Sequence, residues 1–442
     1  MRGTPLLPAL LLALLPSASP ALGAADADGD RADEGWSDED WGEEEAWSDP
    51  WATQEKAGLT WTGFLEAGAG ARWADVENLD ALTLGDLRLR AETRYDHESF
   101  RVDFKGDLNW DQVVEDLDAG LRELAASFRV GSRTDVKLGR QVLTWGTGDL
   151  LFLNDLFPKD FISFFAGRDD EYLKAPSDTL RVSYFTDLVN AEVAWTPRFT
   201  PDDYLYGERF VFYDPGSGDA VAPANPRKAD EPGSGEVALR LFRTVGGTEW
   251  AAYGYVGRWK QPLGARPSGE PWFPRMNAWG ASVRTTLGAG IFNSEFSWYD
   301  SLDDRDGNDP LVPNSQVRFL VGYERELVTN LTAGGQLYAE GILDHDALVA
   351  ALPDPSGAPE EWRTVVTARL THRAFRDTLT TSFFAFWSPD QGDFYLRPNL
   401  SWRRDDQWTL AGGLNLFGGD VDTFFGQLED NSNAWVRLRY NY

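Results

Sequence analysis

The residues able to perform covalent chemistry are few. The 442-residue chain has no cysteine and three histidines, His97, His345 and His372. Without cysteine there is no disulfide, thiolate metal site, thiol nucleophile or covalent haem attachment. The histidines form no metal-spaced pair, and neither H-E-x-x-H nor G-x-S-x-G occurs. Asp303, Asp304, Asp306, Asn308 and Asp309 crowd one segment with hard-cation ligands, but not at the spacing of an EF-hand loop. Asp26, Asp28 and Asp30 fail the same comparison. The pattern predicts no enzyme, no metal and no cofactor.

What recurs instead is charge at alternate positions. Arg88, Arg90, Glu92 and Arg94 alternate with Leu87, Leu89, Ala91, Thr93 and Tyr95. Arg101, Asp103, Lys105, Asp107 and Asn109 alternate with Phe100, Val102, Phe104, Gly106, Leu108 and Trp110. Around Arg318, apolar Val317, Phe319, Val321 and Tyr323 do the same. Period two is the signature of a strand with one apolar and one polar face. Such pieces of about ten residues recur from residue 58 to the end, the rhythm of a transmembrane barrel. Short turns near 96–98, 131–134, 186–188, 245–248, 288–290, 326–329, 373–377 and 404–407 separate them. Longer loops fall near 111–120, 145–176, 197–234, 260–275, 301–314, 344–361 and 419–431.

The expected fold is therefore all-β, a closed antiparallel transmembrane β-barrel over 58–442. The count is eighteen strands, centred near 65, 88, 104, 126, 139, 182, 193, 240, 253, 282, 296, 320, 336, 368, 383, 398, 413 and 437. It falls to sixteen if the weakest pieces, near 139 and 193, are not strands. An even number puts both termini on the periplasmic side of an outer membrane and every long loop outside. No run of 18 apolar residues follows the N-terminus, so no helix crosses a membrane. A mean hydropathy of −0.40 fits strands of mixed face. Trp61, Tyr95, Trp195, Trp298, Trp387 and Trp402 sit near strand ends, where interfacial aromatic girdles form.

If the apolar faces meet lipid, the others line an aqueous lumen. The expected pore-lining bases are Arg88, Arg90, Arg94, Arg101, Lys105, Arg129, Lys137, Arg240, Arg284, Arg318, Arg369 and Arg397, joined by Arg181, Arg437 and Arg439. The inward acids are Glu66, Glu92, Asp103, Asp107, Glu192, Glu236, Glu295, Glu324 and Glu340. Bases exceed acids, which predicts a bias towards anionic solutes. Cross-strand pairing that merely braces the wall is the competing expectation. Within loop 145–176, Leu150, Leu151, Phe152, Leu153, Leu156 and Phe157 are too apolar for a free surface. The segment carrying Trp145, Asp149, Phe152, Asn154, Asp155 and Phe157 is expected to fold inward as a constriction or to cap the mouth.

Gly139-Arg140-Gln141 followed by Trp145-Gly146, on a strand running into a long loop, resembles the alginate-export-type family of outer-membrane porins. The resemblance implies an eighteen-stranded barrel with a narrow, Arg-rich lumen for an anionic polysaccharide. Only this short stretch is specific. Arg140 departs from it, because strict alternation points it outward unless a bulge intervenes. The solute does not carry over from the resemblance.

The ends complete the expectation. Arg2, the apolar Leu6–Leu15 stretch and Ala21-Leu22-Gly23 read as a secretory signal (1–23). Residues 24–57 form a separate acidic tail bearing Trp36, Trp41, Trp47 and Trp51, and its first part, 24–51, holds −11 of the net −30. This composition predicts disorder. An acidic segment beside a basic lumen suggests a plug. The last strand, ending Val436-Arg437-Leu438-Arg439-Tyr440-Asn441-Tyr442, has the aromatic terminus by which barrel-assembly machinery recognises its clients. Expected partners are outer-membrane lipid, that machinery and a solute; the negative charge argues against nucleic acid. The chain thus reads as a passive porin or channel. The alternatives are a scaffold or conduit around partner proteins and an uptake channel for hydrophobic compounds.

Overall fold

The computed structural model describes residues 59–214 and 216–442. The expected leader and acidic tail lie outside the described residues. Strands β1 (Thr60–Arg72), β2 (Leu82–His97), β3 (Phe100–Asp111), β4 (Asp116–Val130), β5 (Thr134–Val142), β6 (Pro176–Tyr184) and β7 (Asn190–Thr196) come first. A small hairpin, β8 (Phe212–Asp214) with β9 (Asp219–Val221), precedes β10 (Glu236–Val245) and β11 (Thr248–Arg258). A second hairpin, β12 (Gly264–Ala265) with β13 (Pro271–Trp272), precedes β14 (Arg275–Leu287). Then follow β15 (Gly290–Ser301), β16 (Gln316–Val328), β17 (Leu331–Ile342), β18 (Trp362–Ala374), β19 (Leu379–Trp387), β20 (Phe394–Arg403), β21 (Trp408–Gly418) and β22 (Asn433–Asn441). Two short helices, α1 (Phe161–Ala166) and α2 (His345–Ala351), lie in connections.

Leaving the two hairpins aside, eighteen strands form one sheet in which each pairs antiparallel with its neighbours. Pairing of β1 with β22, from Phe64 opposite Asn441 to Arg72 opposite Asn433, closes the ring. The sheet thus has no free edge strand, since each strand pairs on both sides. All eighteen expected strand centres fall inside strands, including the short β5 and β7. One loop is shorter than expected. Asp116 and Asp118 belong to β4, because their acidity marks a strand rising beyond the apolar belt rather than a break in it.

The faces alternate as the period demands. Leu65, Leu87, Leu108, Phe319, Leu337 and Leu370 are exposed, while Glu66, Arg88, Arg90, Asp107, Arg240 and Glu295 are buried. That inversion of the usual order is the mark of a chain whose outside meets hydrocarbon. Exposed Trp61, Tyr95 and Trp402 stand at the short-turn end of their strands, and Trp195, Trp298 and Trp387 towards the long-loop end. The two rows have the placement of interfacial girdles.

Candidate functional site

The interior is organised by one connection, residues 143–175 between β5 and β6, which folds back into the ring. Leu150, Leu153, Phe164, Phe165 and Leu173 pack with the inward Leu320, Tyr338, Val365, Phe384, Phe386, Tyr395 and Phe417. Trp145 and Phe157 pack with Ala238, Ala251, Tyr253 and Ala278. Small wall residues make room there; a Cβ on Gly280 would overlap the Asn154 side-chain amide. Fully burying one such large side chain contributes about 1.5–3 kcal/mol. Buried ion pairs contribute little net stability once desolvation is counted. The apolar contacts therefore hold the loop inside, and the polar ones decide where it rests.

Its tip is positioned by Glu295 on β15. That carboxyl accepts from the backbone N–H of Thr147, from Gly148 N at 2.7 Å and from Asn154 Nδ2 at 2.6 Å. Next to it, Arg369 donates twice to Asp149, at 2.7 and 2.6 Å, and Gln336 Oε1 accepts from Asp149 N at 3.2 Å. On another wall Trp145 Nε1 donates to Glu192 at 2.9 Å. Asp155 pairs with Lys159 at 3.0 Å, and Phe152 lies under the Lys159 ammonium at 4.6 Å. Every constriction residue expected from sequence lies within this folded-in segment.

The loop is also tied to the long connection 197–235 between β7 and β10. Lys159 N donates to Asp202 Oδ1 at 2.8 Å, Asp203 N to Lys159 O at 2.8 Å and Phe161 N to Asp203 O at 3.0 Å. Burial pushes the Asp202 carboxyl up to about 6, opposed by Lys159 and Lys260.

The twelve bases expected to line the pore all stand on the inner strand faces. Their ion pairs fall into three groups. Arg94, Arg101, Lys105, Arg129, Lys137, Arg240 and Arg318 pair with strand or strand-end acids, respectively Asp103, Asp96, Glu92, Asp135, Glu123, Glu249 and Glu340. Arg369 and Arg397 pair with loop acids, Asp149 and Asp170. Arg88 pairs with Asp86 and Asp107, and Arg90 with Asp107, Glu92 and Glu171. Arg284 faces a recess below the loop tip. The basic excess counted along the strands is thus met by acids that the loop brings in. Asp169, between Arg437 (3.0 Å) and Arg439 (2.7 Å), is one of them.

Along β2 and β3 these pairs join into one unbroken track. Asp111 binds Arg209, and Arg168 at 2.6 Å; Asp86 binds Arg168 at 2.7 Å and Arg88 at 3.2 Å. Asp107 binds Arg88 at 3.5 Å and Arg90 at 2.6 Å; Glu92 binds Arg90 at 3.3 Å and Lys105 at 3.5 Å. Five bases alternate with four acids from the long-loop end to the turn-end half of the lumen, and a base stands at each end. Sequence reading missed Arg168, Arg209, Asp86, Asp111, Asp169, Asp170 and Glu171. The available signal was the charge run Arg168-Asp169-Asp170-Glu171 inside an otherwise apolar loop.

Other singled-out residues lie apart. His97 contacts Ser99 and Phe100 at the turn end of β2, His345 opens α2, and His372 is exposed on β18. Asp303 binds Arg275 and Asp304 accepts from Asp309 N. Among the described residues no cluster of His, Cys, Asp and Glu has metal-site geometry. Arg140 points outward with no bulge and pairs with outward Asp178 at 3.3 Å, whereas Gln141 is buried and donates to Thr179 O at 2.9 Å. The Gly139-Arg140-Gln141 stretch therefore serves the wall; a Cβ on Gly139 (φ 128°) would strike Leu124 O.

No family model matches the sequence, and no curated protein sequence does. Solved structures do match. OccAB3 of Acinetobacter baumannii aligns with a TM-score of 0.51 at 10% identity, over 87% of this chain and 99% of that one. OccK5 (OpdH) of Pseudomonas aeruginosa gives 0.50 at 11% identity, over 86% and 97%. The outer membrane channel DcaP of Acinetobacter baumannii gives 0.43 at 10% identity, over 88% and 99%. At such identities the likeness is one of fold. The chain has the closed eighteen-strand fold of bacterial outer-membrane channel barrels.

Proposed function

We propose that this protein is a passive channel of the bacterial outer membrane, with both termini periplasmic, that favours small or linear solutes bearing carboxylates. The observation that supports this is the ionic track from Arg209 to Lys105. Each acid in it bridges two bases; the track is buried over most of its length and opens at Glu92 and Lys105, where a solute carboxylate can take up a bridging position. Guanidinium forks favour this geometry over simple point charges. The infolded loop sets the width beside the track.

Residues 143–175 touch strands all round the ring, so a conduit for a partner protein would require the loop to leave. The aromatic cluster of Phe164, Phe165, Tyr395, Phe417 and Phe425 is closely packed and buried, which makes it a core rather than a path for hydrophobic compounds. The alginate-export resemblance contributes a probe, a polyuronate, and not an assignment.

The test is single-channel recording of the refolded protein under a salt gradient. The expected result is a reversal potential favouring chloride, with current interruptions when succinate or polyuronate is added. A cation-selective or non-conducting barrel refutes the proposal.

A further inference from the structure

Asp169, Asp170 and Glu171 are three successive acids, and a different strand of the wall holds each of them. Asp169 lies between Arg437 (3.0 Å) and Arg439 (2.7 Å) of β22. Asp170 meets Arg397 of β20 at 2.7 Å, and Glu171 meets Arg90 of β2 at 2.5 Å. Strands β20, β21, β22, β1 and β2 are consecutive round the ring, so the four guanidiniums form one patch.

The strands alone do not neutralise that patch. Glu66 faces Arg437 and Arg439, and Asp107 and Glu92 face Arg90. Asp107 also serves Arg88, and Glu92 also serves Lys105. The carboxylate partner of Arg397 is Asp170. The loop's three acids thus supply countercharge that the wall lacks. They do so without joining the apolar packing. Phe164, Phe165 and Leu173 on either side of them belong to the buried cluster, whereas the acid side chains keep 13%, 14% and 34% of their surface exposed. The acids can therefore let go while the apolar residues keep the loop inside.

A carboxylate arriving from solution makes the same bonds to the same guanidiniums, so the exchange is close to balanced bond for bond. What favours the loop is its tether, which presents its acids at an effective concentration of about a millimolar or more. A single free carboxylate competes poorly with that. A chain with carboxylates on successive units replaces all three together. Glu171 shares Arg90 with Glu92, at the open end of the ionic track, so displacement starts there and proceeds to Asp170 and Asp169.

We propose that Asp169-Asp170-Glu171 is an internal stand-in for a polycarboxylate, an autoinhibitory contact that the solute displaces from Arg90, Arg397, Arg437 and Arg439. This rests on the carboxylate preference proposed above and adds to it a requirement for several carboxylates on one chain.

The test is calorimetric titration of the detergent-solubilised full chain with trigalacturonate, with galacturonate and maltotriose as singly charged and uncharged controls. Asp170→Asn and Glu171→Gln, together and singly, remove the competing charge with little change of shape. Apparent affinity scales with the fraction of molecules in which the site is vacant, and one lost charge-assisted bond on the loop's side shifts that fraction about tenfold. The double variant should therefore bind trigalacturonate about tenfold tighter than the parent, with both controls weak throughout. Acids that only brace the wall give the opposite sign, because their loss loosens the site. Heat-resistant electrophoretic migration reports folding, and the single variants decide the matter if the double variant does not fold. Affinity that is unchanged or lower in the folded variants, affinity that galacturonate matches, or no binding to any of the proteins overturns the inference. Chloride selectivity beside such a result sinks only this contact; tighter binding in a barrel that does not conduct sinks only the channel proposal.

Discussion

Replacing Glu295 with alanine should release the tip of the infolded loop while leaving the barrel intact. In the native protein one buried carboxyl serves Thr147 N, Gly148 N and Asn154 Nδ2. A hydrogen bond to a charged group contributes about 1.5–3 kcal/mol, and a buried donor left unpaired costs about 1–3 kcal/mol. Because the three bonds share one acceptor they are not additive, and a total of about 4–6 kcal/mol is the reasonable sum. At about 1.4 kcal/mol per factor of ten, that raises the displaced population of the tip by about three to four orders of magnitude. The strand ladder on both sides of β15 is untouched, so the variant should still fold and migrate as a barrel. The chain contains no cysteine, so a single cysteine at Leu156, half-buried beside the loop cluster, reports loop position by its rate of alkylation. Glu295→Ala should speed that labelling strongly and raise single-channel conductance. Labelling and conductance both equal to those of the parent would refute the reasoning, because the apolar contacts alone would then fix the loop.

Two further outcomes follow from the same geometry. Asp202, raised by burial to about 6, favours the folded latch most below the ordinary carboxylate range and loses that advantage as pH rises towards 6. The contact between residues 143–175 and 197–235 should therefore be more resistant to limited proteolysis at pH 5 than at pH 7.5, and Asp202→Asn should abolish the difference. Arg90 is buried against Asp107, Glu171 and Glu92, so Arg90→Ala removes the close partner of buried Asp107 and leaves it with Arg88 at 3.5 Å and the Tyr172 hydroxyl at 3.1 Å. It should cost about 1.5–3 kcal/mol in thermal or denaturant unfolding and shift the reversal potential towards cations; an unchanged potential would exclude Arg90 from the solute path.

Strand faces were legible because alternation is a local property. Leu87 to Tyr95 and Phe100 to Trp110 declare their two faces with no knowledge of neighbours, and Arg140 obeyed the same rule against the pull of the resemblance. That a loop as apolar as Leu150–Leu153 must turn inward was legible for a similar reason. Where it would land was not. Asp149 meets Arg369, and Asp169 meets Arg437 and Arg439, across 220 and 268 or more residues of chain. Nothing in strand parity names the wall a loop will touch. The lumen's charge therefore looked more positive along the strands than it is once the loop is seated.

The position of Asp169 bears on how the ring is made. Arg437 and Arg439 on β22 reach both Glu66 of β1 and Asp169 of the infolded loop. The loop thus lies against the seam where the first and last strands meet, and Trp435 of β22 packs with it in one cluster. A segment translated long before β22 has to be inside before the seam shuts, or be threaded through a finished wall afterwards. The loop is in this sense a mandrel on which the cylinder is closed. Damage at Asp169 should be felt during biogenesis, as slow or failed closure, before it is felt in transport.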